Sequence, residues 1–127
     1  MKKLVFVLFF TVSSFQSHAA GIYDGIWSVT SGDYATITQD GNATVVNGNS
    51  IVVVLLAADF QRWGAYQGIL LGNAVTVSTA ASNGHSIWSF RFTSLTTAKV
   101  TLVSCTATVL LACRFVDGSQ FTASKVF

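Results

Sequence analysis

The sequence predicts an all-β domain, an antiparallel up-and-down meander of about eight strands closed into a small barrel or flattened sandwich. Three observations predict it. Short runs rich in β-branched and aromatic residues are punctuated at close intervals by Asp-Gly, Asn-Gly and Gly-Asn pairs. Such pairs supply the positive φ of tight hairpin turns, and short links make neighbouring strands antiparallel. No stretch combines helix-period apolar residues with capping signals. Closure into a barrel hides the edges that so many short strands would otherwise expose.

The first element is not part of that domain. Met1-Lys2-Lys3 forms a positive start, residues 4–12 an apolar core, and Ser17-His18-Ala19 a small-x-small cleavage site. That order is a secretory signal peptide of bacterial type over residues 1–19, and polar residues interrupt it before the roughly 20 apolar residues of a membrane span. Residues 20–127 then form one domain. Strands are expected at 25–29, 34–39, 42–46 continuing through 50–57, 62–71, 74–79, 86–94, 98–105, 109–116 and 119–126. In the strand 86–94, Trp88, Phe90 and Phe92 share one face and Ile87, Ser89, Arg91 and Thr93 the other, so the aromatic row faces inward. Ala98, Val100 and Leu102 do the same against Lys99, Thr101 and Val103. From Ile51 to Ala58 the run is apolar at every position. One of its faces fills the core and the other is left for a covering layer, which makes this strand the candidate contact for a second copy of the chain or another protein partner.

Composition narrows the function. Lys2 and Lys3 of the leader carry the formal +2, and the domain balances five basic residues against five Asp, with no Glu. A neutral chain without a basic run is not an electrostatic nucleic-acid binder. Export to an oxidising compartment, periplasmic or extracellular, pairs Cys105 with Cys113 as a disulfide. Closing that loop stabilises the fold by roughly 2.5 kcal/mol on the chain-entropy argument. Catalysis is not expected. Asp24, Asp40 and Asp117 each precede Gly and read as turn residues, Asp33 and Asp59 lack a supporting motif, and Ser86 beside His85 points to the opposite face of a strand, so no Ser/His/Asp site is built there. No metal site or cofactor is expected either. Asn42-Ala43-Thr44 reads as a turn exit. Trp63, Tyr66, Trp88, Phe90 and Phe92 are the candidate ligand-binding residues, because small-molecule sites are concave and mostly aromatic or apolar. The same side chains also serve as the filling of a small barrel, the reading favoured where eight strands leave an interior just wide enough for side chains.

Tyr23-Asp24-Gly25-Ile26-Trp27 holds a Gly-x-Trp pattern that resembles the opening strand of lipocalin-like and avidin-like barrels. Over most of the domain the chain is similar to a group of small secreted bacterial β-barrel proteins. The matching stretches are Tyr23 to Trp27, Gly32 to Gly41, Ile51 to Leu56, Trp63 to Gly68, and Phe121 to Phe127. The resemblance implies fold and compartment and brings no activity. By analogy with lipocalin-like barrels it implies that Trp27 closes one barrel end and that Arg114 or Lys125 stacks on it. Two functions follow as expectations: a secreted binding module for a small apolar ligand or a protein partner, or a structural or outer-membrane-associated barrel.

Overall fold

A computed structural model of the chain describes residues 21–39, 49–58, 62–79, 85–107 and 113–127. It holds eight strands: β1 Gly25–Val29, β2 Tyr34–Gln39, β3 Asn49–Leu56, β4 Trp63–Leu70, β5 Ala74–Thr79, β6 His85–Phe92, β7 Thr97–Thr106 and β8 Gln120–Lys125. Each pairs antiparallel with the next, and β8 returns to β1 through Trp27↔Lys125, Ser28↔Ser124 and Val29↔Ala123, closing the barrel. Gly72 and Gly118 take φ of 63° and 87°, the left-handed turn geometry expected at Gly72-Asn73 and Asp117-Gly118. The signal-peptide residues, the segment 42–46, Asp40, Asp59 and the turns Asp40-Gly41, Asn47-Gly48 and Asn83-Gly84 lie outside the described residues.

Alternation divides inside from outside. In β2, Ala35, Ile37 and Gln39 are buried while Tyr34, Thr36 and Thr38 are exposed. Cross-strand partners share a face, so register carries that parity around the barrel: Ile37 faces Val53, and Val53 faces Tyr66. The run 51–58 splits accordingly. Ile51 and Val53 are buried and Leu55 packs on the core, whereas Val52 is 42% exposed on the other face. The aromatic row of β6 points inward as expected, with Phe90 and Phe92 fully enclosed beside Val100 and Ala98 of β7. Each large side chain so buried contributes about 1.5–3 kcal/mol to the driving force.

One end is plugged. Tyr23, just before β1, lies flat on Phe92 with ring centroids 3.7 Å apart, and Trp27 meets Phe92 edge-on at 5.5 Å. Trp27 donates its indole N–H to the Tyr23 carbonyl oxygen at 3.0 Å. The Tyr23 N–H in turn reaches Gln39 Oε1 at 2.8 Å. Asp24 is a turn residue here: its carboxylate accepts the backbone N–H of Gly21 at 2.8 Å and of Gln39 at 2.5 Å. Gly25 has φ of 141°, and a methyl at its position would overlap the Phe127 carbonyl oxygen. Glycine is therefore needed where the chain's last backbone turns across its first strand.

Two expectations change. Among the described residues of 109–116, Cys113 to Val116 form no strand, and β7 pairs with β8 instead, from Thr97↔Ser124 to Thr101↔Gln120. The segment is held by side chains rather than by a ladder: Cys113 is bonded to Cys105, and Arg114 is ion-paired with Asp33. The disulfide itself is as expected, but it ties β7 to an irregular strap and not to a hairpin partner. Also, β7 does not keep its alternation. Trp88 pairs with Leu102 but Ile87 with Ser104, so Val103 is an extra residue at a bulge. The phase shift puts Cys105, and not Ser104, opposite inward-facing Ser86.

Candidate functional site

At the end away from the Tyr23–Phe92 plug the barrel holds a cavity of about 340 Å³. Its walls are Leu55 of β3, Tyr66 of β4, Ser86 and Trp88 of β6, Leu102 of β7 and Phe115 of the strap. Asp33, Arg62, Trp63 and Arg114, together with Cys105 and Cys113, add to the lining around its mouth. The volume stands at the lower end of the roughly 300–1,000 Å³ usual for small-molecule sites.

Space for the polar floor is made by a glycine. A methyl on Gly64 would sit 2.8 Å from the Tyr66 hydroxyl, so the phenol occupies the place a side chain would need. Ser86 is buried and links two aromatic side chains: its hydroxyl donates to Tyr66 Oη at 3.0 Å, and its Oγ accepts the Trp88 indole N–H at 3.3 Å. Ser86 is held in turn by Thr79, whose hydroxyl accepts the Ser86 N–H at 3.0 Å and donates to the Ser86 carbonyl at 3.1 Å.

The mouth is organised by Asp33. Its Oδ1 accepts from Arg114 Nη1 at 3.0 Å and from the Ala58 N–H at 3.1 Å, while Oδ2 accepts from the Ser31 hydroxyl at 2.9 Å. One carboxylate thereby joins the β1–β2 turn, the β3–β4 turn and the strap. Arg114 also lies 5.0 Å from the centroid of the Phe115 ring. Phe115 meets Phe121 edge-on at 4.8 Å, and Phe121 lies 6.4 Å from Trp88, so an aromatic series runs from the mouth to the floor.

Of the five candidate ligand residues, Trp63, Tyr66 and Trp88 line this cavity. Phe90 and Phe92 do not; they are 0% and 2% exposed in the packed core. The inward residues of β6 step along the barrel by about 6.6 Å per pair, so Phe92 lies roughly 13 Å beyond Trp88, towards the plugged end. Trp63 is 72% exposed at the mouth. Ser86 was accessible to sequence reasoning, being two residues before Trp88 and of the same parity. Arg114 and Phe115 were concealed by the expectation of a strand there.

Arg114, which pairs with Asp33 and lies over the Phe115 ring, is not the cation on Trp27. Lys125 is Trp27's cross-strand partner, and its ammonium reaches the Ile22 carbonyl at 3.4 Å. Asp117 accepts the Cys105 N–H at 2.9 Å, and His85 is exposed at the start of β6. Among the described residues no three of His, Cys, Asp or Glu gather as a metal-binding group. Comparison with known proteins finds no matching family, no matching curated protein and no matching solved structure.

Proposed function

We propose that this chain is an exported, non-catalytic binding module that takes a small, largely apolar ligand into the open end of its barrel. The observation that carries the reading is the cavity itself: Leu55, Trp88, Leu102 and Phe115 form apolar walls around a Tyr66–Ser86 floor. The leader at 1–19 and the Cys105–Cys113 disulfide support a periplasmic or extracellular site of action. The Gly-x-Trp start of β1 supports likening the barrel to lipocalin-like binders. The outer surface over β6 to β8 favours a water-borne module over a membrane-spanning barrel. Arg91 and Lys99 are exposed cross-strand partners, and Thr122 and Ser124 are exposed on β8, while the interior is apolar. Transmembrane barrels have the opposite polarity.

Two measurements test the reading. Fractionation of expressing bacteria should recover the protein from periplasm or medium, and recovery only from the outer membrane overturns the location. Titration with small apolar fluorophores such as 1-aminoanthracene should give saturable one-to-one binding with a change in tryptophan emission, because Trp63 and Trp88 line the cavity. A panel of such probes with no member binding more tightly than about 1 mM overturns the cavity as a ligand site.

A further inference from the structure

Resting on that reading, the hydrogen-bonding groups that the described residues bring to the cavity show which donors are still uncommitted. At the floor, the Trp88 N–H, the Tyr66 O–H and the Ser86 O–H are three donor hydrogens, and only two hydrogen bonds join the three groups. Whichever way the hydroxyls rotate, one O–H is left over. At the mouth, Asp33 is the one carboxylate that the described residues bring to the lining, and both its oxygens are already accepting. Arg114 offers five N–H groups, of which one is committed to Asp33.

We infer that the cavity selects small apolar anions, of the class of aromatic or short aliphatic carboxylates, and discriminates against alkylammonium cations of the same shape. The apolar body lies against Leu55, Trp88, Leu102 and Phe115. The carboxylate meets the uncommitted edge of Arg114, whose guanidinium is held in place by Asp33 and by the Phe115 ring. A bidentate contact of this kind matches carboxylate geometry and is stronger than a neutral hydrogen bond. An ammonium group would find only the one remaining lone pair of Asp33 Oδ2, on a carboxylate already engaged by Arg114, against the several free N–H groups that Arg114 offers a carboxylate. The leftover O–H further favours ligands that bring an acceptor to the inner end.

The test uses three probes of one shape on the purified, disulfide-bonded protein: 1-naphthoate, neutral 1-naphthamide and 1-naphthylmethylammonium, followed by calorimetry or tryptophan emission. Naphthoate should bind about tenfold or more tighter than the ammonium probe, with the amide between them. Raising salt from about 50 mM to about 500 mM should weaken naphthoate and leave the amide unchanged, because screening acts on the charged contact. Arg114→Gln should bring naphthoate to the affinity of the amide, and Arg114→Lys should keep part of the preference. If Arg114→Gln does not fold, the probe order and its salt dependence in the unaltered protein still decide. An ammonium probe that binds as tightly as naphthoate overturns the anion preference alone, whereas failure of all three to bind overturns the cavity as a ligand site.

Discussion

Ser86 shows how much one small side chain carries in this barrel. It is buried, accepts from Trp88 and donates to Tyr66, and its own backbone is bracketed by Thr79. Removing the end of such a chain differs from removing its centre. Tyr66→Phe deletes one hydrogen bond and leaves the Ser86 O–H as the leftover donor in place of the Tyr66 one, so it should cost under about 1 kcal/mol. Ser86→Ala leaves both the Trp88 N–H and the Tyr66 hydroxyl without a protein partner, and should cost about 2 kcal/mol or more. Urea unfolding of both variants measures the order, and equal losses would show that Ser86 is not the hub. Gly25 works by absence instead. An added methyl would overlap the Phe127 carbonyl oxygen, which accepts the Ile26 N–H at 3.0 Å, and φ of 141° suits glycine alone. Gly25→Ala should therefore lower stability by more than about 2 kcal/mol, with the loss seen as a fall in thermal midpoint at unchanged strand content. The Gly-x-Trp pattern was legible as a motif, but its physical reason, room for a backbone from the far end of the chain, is a long-range contact that no local window contains.

Among elements, β7 and the strap after it mark where local reading stops working. Strands β1, β2 and β5 fall where turn pairs and alternation predict them, at Gly25–Val29, Tyr34–Gln39 and Ala74–Thr79. Each has steady period-two polarity or a clear glycine boundary. Val103, by contrast, follows the alternation Ala98-Lys99-Val100-Thr101-Leu102 with a second apolar residue, a break too slight to announce a bulge. Yet that bulge turns Cys105 onto the inner face opposite Ser86 and so brings the disulfide to the cavity lining. The strap has strand-like composition, and the long-range pairs Cys105–Cys113 and Arg114–Asp33 set its path instead. The cavity was half legible for the same reason: Trp63, Tyr66 and Trp88 belong to readable strands, while Arg114 and Phe115 belong to the strap. Replacing both cysteines by Ser should lower stability by about 2.5 kcal/mol, since loop-closure entropy returns to the unfolded chain. It should also weaken probe binding in the cavity by more than the stability loss implies, because Arg114 and Phe115 follow directly on Cys113. Calorimetry of the double variant under conditions where it remains fully folded separates the two effects, and unchanged affinity would mean that the Asp33 ion pair alone holds the strap.

At the scale of the whole molecule the barrel surface has two characters. Over β6 to β8 it carries Arg91, Lys99, Thr122 and Ser124, an ordinary solvated face. Over β1 to β4 it carries Ile26, Tyr34, Val52, Trp63 and Ile69, each between 38% and 72% exposed. Register makes this a connected surface. Tyr34, Leu56 and Trp63 are successive cross-strand partners, and Thr36, Val54 and Ala65 form the next outward row. Burying an exposed aliphatic side chain gains about 1.5 kcal/mol or more, so several such residues on one face favour association, given the roughly 800 Å² per partner that a stable interface covers. The prediction is a symmetric dimer packed through β3 and its neighbours, the occupant consistent with an isologous patch. Sedimentation of the purified protein should show a concentration-dependent shift from monomer to dimer. Val52→Asp places a charge at the centre of that face without touching the core, because Val52 points away from Ile51 and Val53. It should abolish the dimer at unchanged fold and leave the end cavity open to the same probes. A protein that stays monomeric at millimolar concentration would remove the second copy as the partner of this face.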